Sequence, residues 1–332
     1  MVAGTTWFES KTGIKKMTDD KTIICCAGID VAKDKLDVAL WPCGTHAVFA
    51  YSGAGLAELD RFLATHKVER IGFEASGGYE RRLIEHLRDR GIAAARLQPA
   101  QVKAFARSRL RRAKNDRLDA QLIAVFTAHL DKLPPLPAKV TLELAEHLTF
   151  IEQIEDQLVA AKTRLETTAS PRFRKLHSAE IRRLELRREV ELMRLAKAVQ
   201  ASEELARRLA RVCSIKGIGL RTGLAFVIRL PELGSLTREE AAALTGLAPY
   251  DNDSGRCSGK RSIKGGRPRL RTSVFMAGFS ATRWNPDIKG FYDRLRAKGK
   301  HHLTALVAAM RKLVILANAV VARDTDWQPV RP

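Results

Sequence analysis

The sequence predicts a protein of two parts, a mixed α/β region followed by a helical region. In the first part, short apolar segments bounded by turn residues alternate with amphipathic segments, up to a proline-rich stretch at 134–140. In the second part, leucine and isoleucine recur every seven residues, which is typical of packed helices. The 332 residues carry a formal net charge of +21, which favours a polyanionic partner, nucleic acid before an anionic membrane surface.

The first part follows a polar segment at 1–22, which we expect to be a flexible tail. Strands are predicted at 22–30, 36–41, 47–51, 70–74 and 93–97, and helices at 55–66, at 78–90, from about 100, and at 116–130. Three strands in succession, followed by strands separated by helices, describe a mixed sheet with helices on its faces. This domain is expected to span 23–133, with 134–140 as a linker.

The helical part opens with a heptad pattern. Its members are Leu144, Ile151, Leu158 and Leu165, with Leu148 and Ile154 on the adjoining seam. After Pro171, a second helical stretch carries apolar residues in a less regular heptad up to Leu209. We predict two long helices that form a coiled-coil-like arm over 141–211, and an ordinary helical bundle is the alternative.

The segment 212–322 is predicted to be a mainly helical domain, and 323–332 a tail. Its first feature, Ser214-Ile-Lys-Gly-Ile-Gly219, resembles the turn of a helix-hairpin-helix, in which glycines let backbone N–H groups approach a phosphate. A plain tight turn between two helices is an equally good interpretation. A loop rich in glycine and serine at 251–266 and helices at 269–283 and 303–321 complete the domain.

Several classes of protein are disfavoured. Charged residues from Glu9 to Lys16 interrupt any apolar run at the N-terminus, so we expect no signal peptide. The uncharged apolar stretch at 313–322 is about half as long as a membrane span. Five cysteines without paired spacing argue against a disulfide framework or a zinc site and favour a reducing cytoplasm.

Four acidic residues stand at positions that suit metal-dependent chemistry. Asp30 and Glu74 end predicted strands, and Asp116 and Asp119 project from one face at the start of a predicted helix. Such carboxylates are what two Mg²⁺ ions need, and a pair of ions can stabilise both the attacking and the leaving oxygen of phosphodiester chemistry. Each carboxylate alone could instead be a solvated surface charge or, for Asp116, a helix N-cap.

Basic residues cluster beside these acids and again near the C-terminus. The first cluster, which we expect to grip the nucleic-acid backbone, comprises Arg107, Arg109, Arg111, Arg112, Lys114 and Arg117. From 254 to 300 there are thirteen Lys and Arg residues against two acids. The phosphate contacts expected in this second cluster are Arg256, Lys260, Arg261, Lys264, Arg267, Arg269 and Arg271. The same loop carries Ser254, Ser258 and Ser262, among which chemistry alone does not choose.

Taken in order, the motifs resemble those of the transposases of insertion-sequence family 110, which are also described as bridge-RNA-guided recombinases. The resemblance covers about residues 23–322. The N-terminal motifs that carry it are Gly28-Ile-Asp-Val-Ala-Lys33, Glu74-Ala-Ser-Gly-Gly-Tyr79 and Asn115-Asp-Arg-Leu-Asp-Ala120. The C-terminal motifs include Ile215-Lys-Gly-Ile-Gly219, Gly246-Leu-Ala-Pro249, Ser254-Gly255, Ile263-Lys-Gly-Gly266 and Phe291-Tyr-Asp-Arg-Leu295.

The resemblance implies an N-terminal RuvC-like domain of the RNase H fold, whose Asp-Glu-Asp-Asp set, Asp30, Glu74, Asp116 and Asp119, binds Mg²⁺. It implies that Ser254, in the Ser-Gly pair after Leu-x-Pro, is the nucleophile that forms a covalent phosphoserine link with DNA. The active site would be composite, drawing residues from both ends of the chain.

The resemblance also implies partners. A structured guide RNA would pair with donor and target DNA, and the protein would act as a homo-oligomer, from dimer to tetramer, with the arm as a dimerisation element. Such a protein would work in the cytoplasm of a bacterium or archaeon, associated with the nucleoid and not with a membrane.

Two other functions are weighed against this one. A RuvC-like Holliday-junction nuclease needs only the four carboxylates and hydrolyses DNA with water, but the C-terminal third of the chain argues against it. A non-catalytic nucleic-acid-binding scaffold needs only the net charge, but the complete acidic set argues against that.

Overall fold

The structure is a computed structural model that describes residues 24–109, 116–250 and 261–329. The chain divides into two compact units, Met1–Pro137 and Ala138–Pro332. The boundary between them falls inside the proline-rich stretch at 134–140.

The first unit is an α/β domain built on one sheet. Its described elements are β1 (Cys26–Val31), β2 (Lys35–Trp41), β3 (His46–Ala50), α1 (Gly53–Thr65), β4 (Arg70–Glu74), α2 (Glu80–Asp89), β5 (Ala94–Leu97), α3 (Pro99–Ser108) and α4 (Asp116–Ala128). The strand order is β3-β2-β1-β4-β5. β2 is antiparallel to β1 and β3, whereas β4 is parallel to β1 and β5. The predicted mixed sheet is confirmed, and its order and strand directions agree with the RNase H-like fold that the resemblance implies.

α4 packs directly onto the central strand β1 and its neighbour β4, and two glycines make this possible. A Cβ atom at Gly28 would collide with the backbone of Ala120 and Ala124, and one at Gly72 would collide with Thr127. Gly28 and Gly72 are paired across β1 and β4. Together they form a strip without side chains on which the helix rests.

Several element boundaries differ from the sequence prediction by one or two residues, and two of these differences have a local reason. α2 begins at Glu80 rather than at 78, because Gly77 and Gly78 have φ values of +75° and +121°, outside the helical region. Residues 24 and 25, predicted as strand, precede β1, which begins at Cys26 where its pairing with Trp41 of β2 starts. Residues 22 and 23 lie outside the described residues.

The second unit is mainly helical, as predicted. Its described elements are α5 (Lys139–Thr167), α6 (Pro171–Gln200), α7 (Glu203–Cys213), α8 (Leu220–Arg229), α9 (Arg238–Leu244), β6 (Pro249–Tyr250), β7 (Ser262–Ile263), α10 (Pro268–Trp284), α11 (Pro286–Ala297) and α12 (His302–Arg323).

α5 and α6 pack as an antiparallel pair, and residues of the predicted heptad line their contact. In the outer part of the pair, Ile154 and Leu158 pack with Ile181 and Leu184. Nearer its base, Leu148 and its heptad neighbours belong to one large core that also includes residues of α8, α10 and α12. The arm is therefore rooted in the core of the C-terminal domain, and a division between them at 211 and 212 stays a prediction.

α12 is a central helix of this core. By length and composition alone it could cross a membrane, but its buried side chains, among them Leu306, Met310 and Leu313, lie in the core of the unit. After α12 the chain folds back, since Trp327 is only 9% exposed and its backbone N–H donates to Ser214 Oγ. The segment predicted to be a tail from 323 is therefore packed against the domain as far as Trp327.

Candidate catalytic site and nucleic-acid interface

Asp30 and Glu74 are placed by the same two strands that carry the paired glycines. Gly28 pairs with Gly72, and each acid follows its glycine by two residues. Because the side chains of a strand alternate between its faces, both acids lie on the face that α4 covers. Asp116 is the first residue of α4 and Asp119 follows in its first turn.

The electrostatics of Asp30 shows that these acids lie near enough for their charges to act on it. The pKa of Asp30 is raised to about 6, first by burial and then by the negative charges of Asp116, Asp119, Asp37 and Glu74. The structure thus brings together the four acids that the sequence singled out, two from strand ends and two from the start of a helix.

A fifth carboxylate, Asp37, was missed by the sequence reasoning. Asp37 lies directly opposite Asp30 in the β1–β2 ladder and is only 5% exposed. The available signal was an acid within an otherwise apolar strand, since Leu36, Val38 and the residues that follow them are buried. A buried charge destabilises the folded protein unless it has a partner of opposite charge, so the buried carboxylate of Asp37 predicts a nearby cation.

Lys35 is that partner, and it links Asp37 to a second acid. Its ammonium Nζ lies 2.6 Å from Oδ2 of Asp116 and 2.9 Å from Oδ2 of Asp37. Hydrogen bonds to Asp116 and then to Asp37 raise the pKa of Lys35 above its ordinary value, so it is fully charged at neutral pH. His46 Nε2 lies 3.3 Å from the other oxygen of Asp37, without hydrogen-bond geometry.

The donor set suits a hard divalent ion, because Mg²⁺ and similar ions prefer carboxylate oxygens. A cation would also relieve the crowding that raises the pKa of Asp30. Across 24–109, 116–250 and 261–329, however, no three His, Cys, Asp or Glu side chains form a group that could hold an ion as they stand. Since Lys35 donates to Asp116 at 2.6 Å, at least this side chain would have to move to bind one.

Glu80 fixes the turn that follows Glu74, and the sequence reasoning did not single it out. Its carboxylate Oε2 accepts hydrogen bonds from the backbone N–H groups of Ser76 (3.1 Å) and Gly78 (2.8 Å) and from the Ser76 hydroxyl (3.2 Å). Glu80 is buried. These bonds hold the end of β4, where Glu74 lies. An acid at the first position of an amphipathic helix, one residue after Gly77 and Gly78, was the available signal.

The basic cluster beside the Asp pair is described in part. Arg107, Arg109 and Arg117 are exposed, as a role in nucleic-acid binding requires. The Arg109 guanidinium lies 4.8 Å from the centre of the Phe105 ring, and its Nη2 lies 3.2 Å from His129 Nε2. The remaining members, Arg111, Arg112 and Lys114, lie outside the described residues.

The loop that contains Ser254 is closed at its base by the hairpin of β6 and β7, in which Tyr250 pairs with Ser262. Below the hairpin, Gly246 and Gly266 meet so closely that a Cβ atom on either would collide with the opposite segment. Their φ values of +69° and +64° also favour glycine. Ser262 is exposed. The predicted residues Ser254, Arg256, Ser258 and Lys260 lie outside the described residues.

Three arginines expected to contact phosphates have partners inside the second unit. Arg267 donates to both carboxylate oxygens of Glu232, at 2.8 and 2.6 Å. Arg269 donates to Glu152 at 2.7 Å, and Arg271 donates to the carbonyl of Gly265 at 2.8 Å. The three side chains therefore hold the start of α10 and the residues just before it in place within the second unit.

The other two described members of this cluster, Arg261 and Lys264, are exposed. They lie directly before and directly after β7, which forms one side of the base of the loop. Both are therefore placed where a phosphate could reach them.

The turn at 214–219 joins α7 to α8 and packs against α10. A Cβ atom at Gly217, where φ is +103°, would collide with Ala281. The buried side chain of Asn285 donates to the carbonyl of Lys216. Packing alone thus accounts for Gly217, whereas the space around Gly219 at the start of α8 is open. A phosphate-binding role for this turn stays a prediction.

Comparison with known proteins places both units in one family. Residues 27–170 match a family model of IS110-type DEDD transposases, described as "Transposase". Residues 209–293 match a second model, described as "Transposase IS116/IS110/IS902 family".

Related proteins and solved structures were also found. The "Pilin gene-inverting protein" of Moraxella bovis is 26% identical over 315 residues, which cover 90% of this chain and 96% of that protein. A 43.6 kDa insertion element IS110 protein of Streptomyces coelicolor is 29% identical over 36% of this chain and 30% of its own length. RuvC of T. thermophilus, solved with a Holliday junction substrate, aligns with 34% of this chain and 99% of its own at 15% identity, with a TM-score of 0.28.

The two family models together span most of the chain, in the order that the sequence motifs predict. The similarity to the relative from Moraxella extends over 90% of this chain and 96% of that protein. The chain belongs to the IS110 family of transposases, and it is a transposase or site-specific DNA recombinase.

Proposed function

We propose that this protein cuts and exchanges DNA strands through a covalent link between Ser254 and a DNA phosphate, assisted by divalent ions held by Asp30, Glu74, Asp116 and Asp119. The observation that carries the proposal is the gathering of these acids around Asp30, where their mutual repulsion adds to burial in raising its pKa to about 6. A site that concentrates negative charge in this way is suited to hold a cation.

The serine step is a phosphoryl transfer. Ser254 Oγ attacks phosphorus, and the bond between Oγ and phosphorus forms as the bond from phosphorus to one sugar oxygen breaks. The serine proton passes to a base or to water, and the departing sugar oxygen takes up a proton. A sugar hydroxyl of another strand then reverses the step, which restores the serine and joins the new strands without an external energy source.

The carboxylates serve this reaction by holding Mg²⁺, which would neutralise charge on the phosphate and favour loss of the serine proton. Asp30 and Glu74 are fixed at strand ends, and Glu80 stiffens the turn behind Glu74. Asp116 and Asp119 stand on the first turn of α4, which the glycine strip holds against the sheet. Rigid elements therefore present all four side chains.

Donor and target DNA and a structured guide RNA are the proposed partners. The net charge of +21 and the exposed Arg107, Arg109 and Arg117 support contact with phosphates. The name of the Moraxella relative says that it inverts a pilin gene, and exchange between two sites on one DNA molecule would give this outcome. The protein would act on DNA in the cytoplasm.

We propose that the protein forms a homo-oligomer, from dimer to tetramer, and that the arm provides an interface between its subunits. Leu186, Val190 and Met193 are exposed on α6 and follow one another at intervals of four and three residues. This is the spacing of a coiled-coil seam, and it lies apart from the seam that α6 uses with α5.

A second function is favoured by one observation. The acids that act on Asp30 among the described residues, namely Asp116, Asp119, Asp37 and Glu74, all belong to the first unit. A RuvC-like nuclease that hydrolyses DNA with water would need nothing more.

An adduct assay separates the two functions. End-labelled DNA is incubated with Mg²⁺ and protein, resolved on a denaturing gel, and the linked peptide is identified by mass spectrometry. We expect a covalent adduct at Ser254 that is absent with Ser254→Ala and with Asp119→Asn. The matched controls Ser258→Ala and Ser262→Ala should still form it. Cleavage by Ser254→Ala without an adduct would favour the nuclease.

A further inference from the structure

We infer that Lys35 is a resident counter-cation for Asp116, bonded to it while no divalent ion is held and released from it when one binds. The inference rests on the proposed function, because it takes Asp116 to be a metal ligand. Lys35 was not among the residues that the sequence analysis singled out, and the family comparisons assign it no role.

The anchor of Lys35 is the buried carboxylate of Asp37. Lys35 and Asp37 are two residues apart on β2, so both side chains lie on the face of the sheet that α4 covers. The side chain of Asp37 is only 6% exposed, and its Oδ2 lies 2.9 Å from Lys35 Nζ. This buried partner keeps the ammonium at the edge of the acidic cluster.

The contact with Asp116 is exchangeable. The side chains of Lys35 and Asp116 are 45% and 55% exposed, although their charged atoms are only 2.6 Å apart. Exposed ion pairs of this kind contribute little to stability and exchange readily with water and ions. Lys35 can therefore leave Asp116 without unfolding the protein and remain paired with Asp37.

Charge explains what the contact does. Asp37 adds a fifth negative charge to those of the four proposed ligands. The charges of Asp37, Glu74, Asp116 and Asp119 all raise the pKa of Asp30. One ammonium between Asp37 and Asp116 offsets part of this charge while no ion is held. A divalent ion must break the bond from Lys35 to Asp116 before that carboxylate can bind it. Lys35 therefore lowers the affinity of the site for divalent ions.

The alternative is that Lys35 holds Asp116 in the position needed for a ligand. In that case Lys35 would raise metal affinity. The geometry favours the first role, because the ammonium is bonded to the Asp116 oxygen itself and no three acids among the described residues stand together as a group that could hold an ion.

The test is calorimetric titration of the full-length protein with Mn²⁺, without DNA. Lys35→Met should bind Mn²⁺ about tenfold more tightly than the wild type, because a competing positive charge is removed. Lys35→Gln keeps a hydrogen-bond donor for the buried Asp37 and should show the same gain, which covers the case in which the Met variant folds poorly. Lys35→Arg keeps the charge and should bind as the wild type does.

Lys33→Met is the matched control, since it removes the same charge from an exposed position two residues away and should change the affinity by less than twofold. Weaker or unchanged binding by both Lys35→Met and Lys35→Gln would overturn the inference. Asp30→Asn with Asp119→Asn tests the proposed site itself. If this double variant keeps wild-type binding, the acids are not the metal ligands and the proposed function fails as well.

Discussion

Asp30 in the first unit and Glu152 in the second are in opposite electrostatic situations. In the first unit, Asp30 lies among other acids, and their charges raise its pKa. In the second unit, the buried Glu152 is surrounded by arginines, with Arg229 at 2.6 Å and Arg269 at 2.7 Å. A buried acid with nearby cations is a structural element, whereas acids crowded together at the cost of repulsion suit a site that acquires a cation. The difference separates the residues that hold the fold from those that we assign to chemistry.

The largest effect on stability is expected where an acid is fully paired. Glu152→Ala leaves Arg229 and Arg269 without their buried partner and should lower the free energy of unfolding by about 3 kcal/mol. Urea unfolding of the full chain measures this loss.

The matched control for Glu152 is Glu185→Ala on the same helical pair. Glu185 forms an exposed ion pair with Lys162, 2.9 Å long, whose loss should leave the stability unchanged within error. Equal effects of the two substitutions would mean that burial of the pair does not matter.

Asp30→Asn should have the opposite sign. Because the folded pKa of Asp30 is about 6, against 3.8 for the unpaired group, its charged form destabilises the folded state. The variant should be more stable than the wild type by about 1 kcal/mol at pH 8 in a chelator, a value reduced from the full shift because water reaches part of the site.

The pH dependence provides the check on this sign. The stability that protonated Asp30 contributes is fully present below pH 3.8 and is lost as the pH rises through about 6. The advantage of Asp30→Asn should therefore disappear in unfolding curves measured near pH 4. A variant that is less stable than the wild type at pH 8 would show that Asp30 is paired rather than crowded.

The arginines of the two units also differ, and the difference concerns nucleic-acid binding. Replacing the exposed Arg107, Arg109 and Arg117 with Ala should weaken binding to all DNA sequences and flatten its salt dependence by a slope of about 0.9 for each lost duplex phosphate contact. Fluorescence anisotropy at several salt concentrations measures the slope.

Arg267→Ala is the counterpart in the second unit. Because Arg267 is bonded to Glu232 and to the carbonyl of Arg229, the variant should lose stability while its salt slope stays that of the wild type. A flattened slope for Arg267→Ala would return this residue to the nucleic-acid interface that its sequence suggests.

The parts of the fold that the sequence predicts well are those set by local patterns. The strand at 70–74 follows from an apolar run between charged residues, and the structure has it at this position. The predicted helix from 116 is confirmed as α4 over the residues that the structure describes. Asp30 and Glu74 stand out because strand ends can be recognised locally. The position of Gly77 and Gly78 before α2 was visible, but their φ values were not.

The parts that the sequence did not predict depend on distant pairing. The role of Asp37 becomes visible only once β1 and β2 are in register and Asp30 faces it. From the sequence, Arg269 is predicted to contact a phosphate. In the structure it donates a hydrogen bond to Glu152, which is 117 residues away along the chain. Charge density in a sequence does not show which charges have partners, because ion pairs between distant segments are set by the packing of the helices.

Iron-directed cleavage tests the central assignment most directly. Fe²⁺ takes the place of Mg²⁺ at oxygen-rich sites, and with ascorbate and peroxide it cuts the backbone around the residues that bind it. Cuts are expected near Asp30, Glu74 and Asp116 in the wild type, mapped by mass spectrometry and lost in Asp30→Asn. Cuts that persist in Asp30→Asn, or that appear around Glu152 instead, would contradict the assignment of the first unit's acids as the metal site.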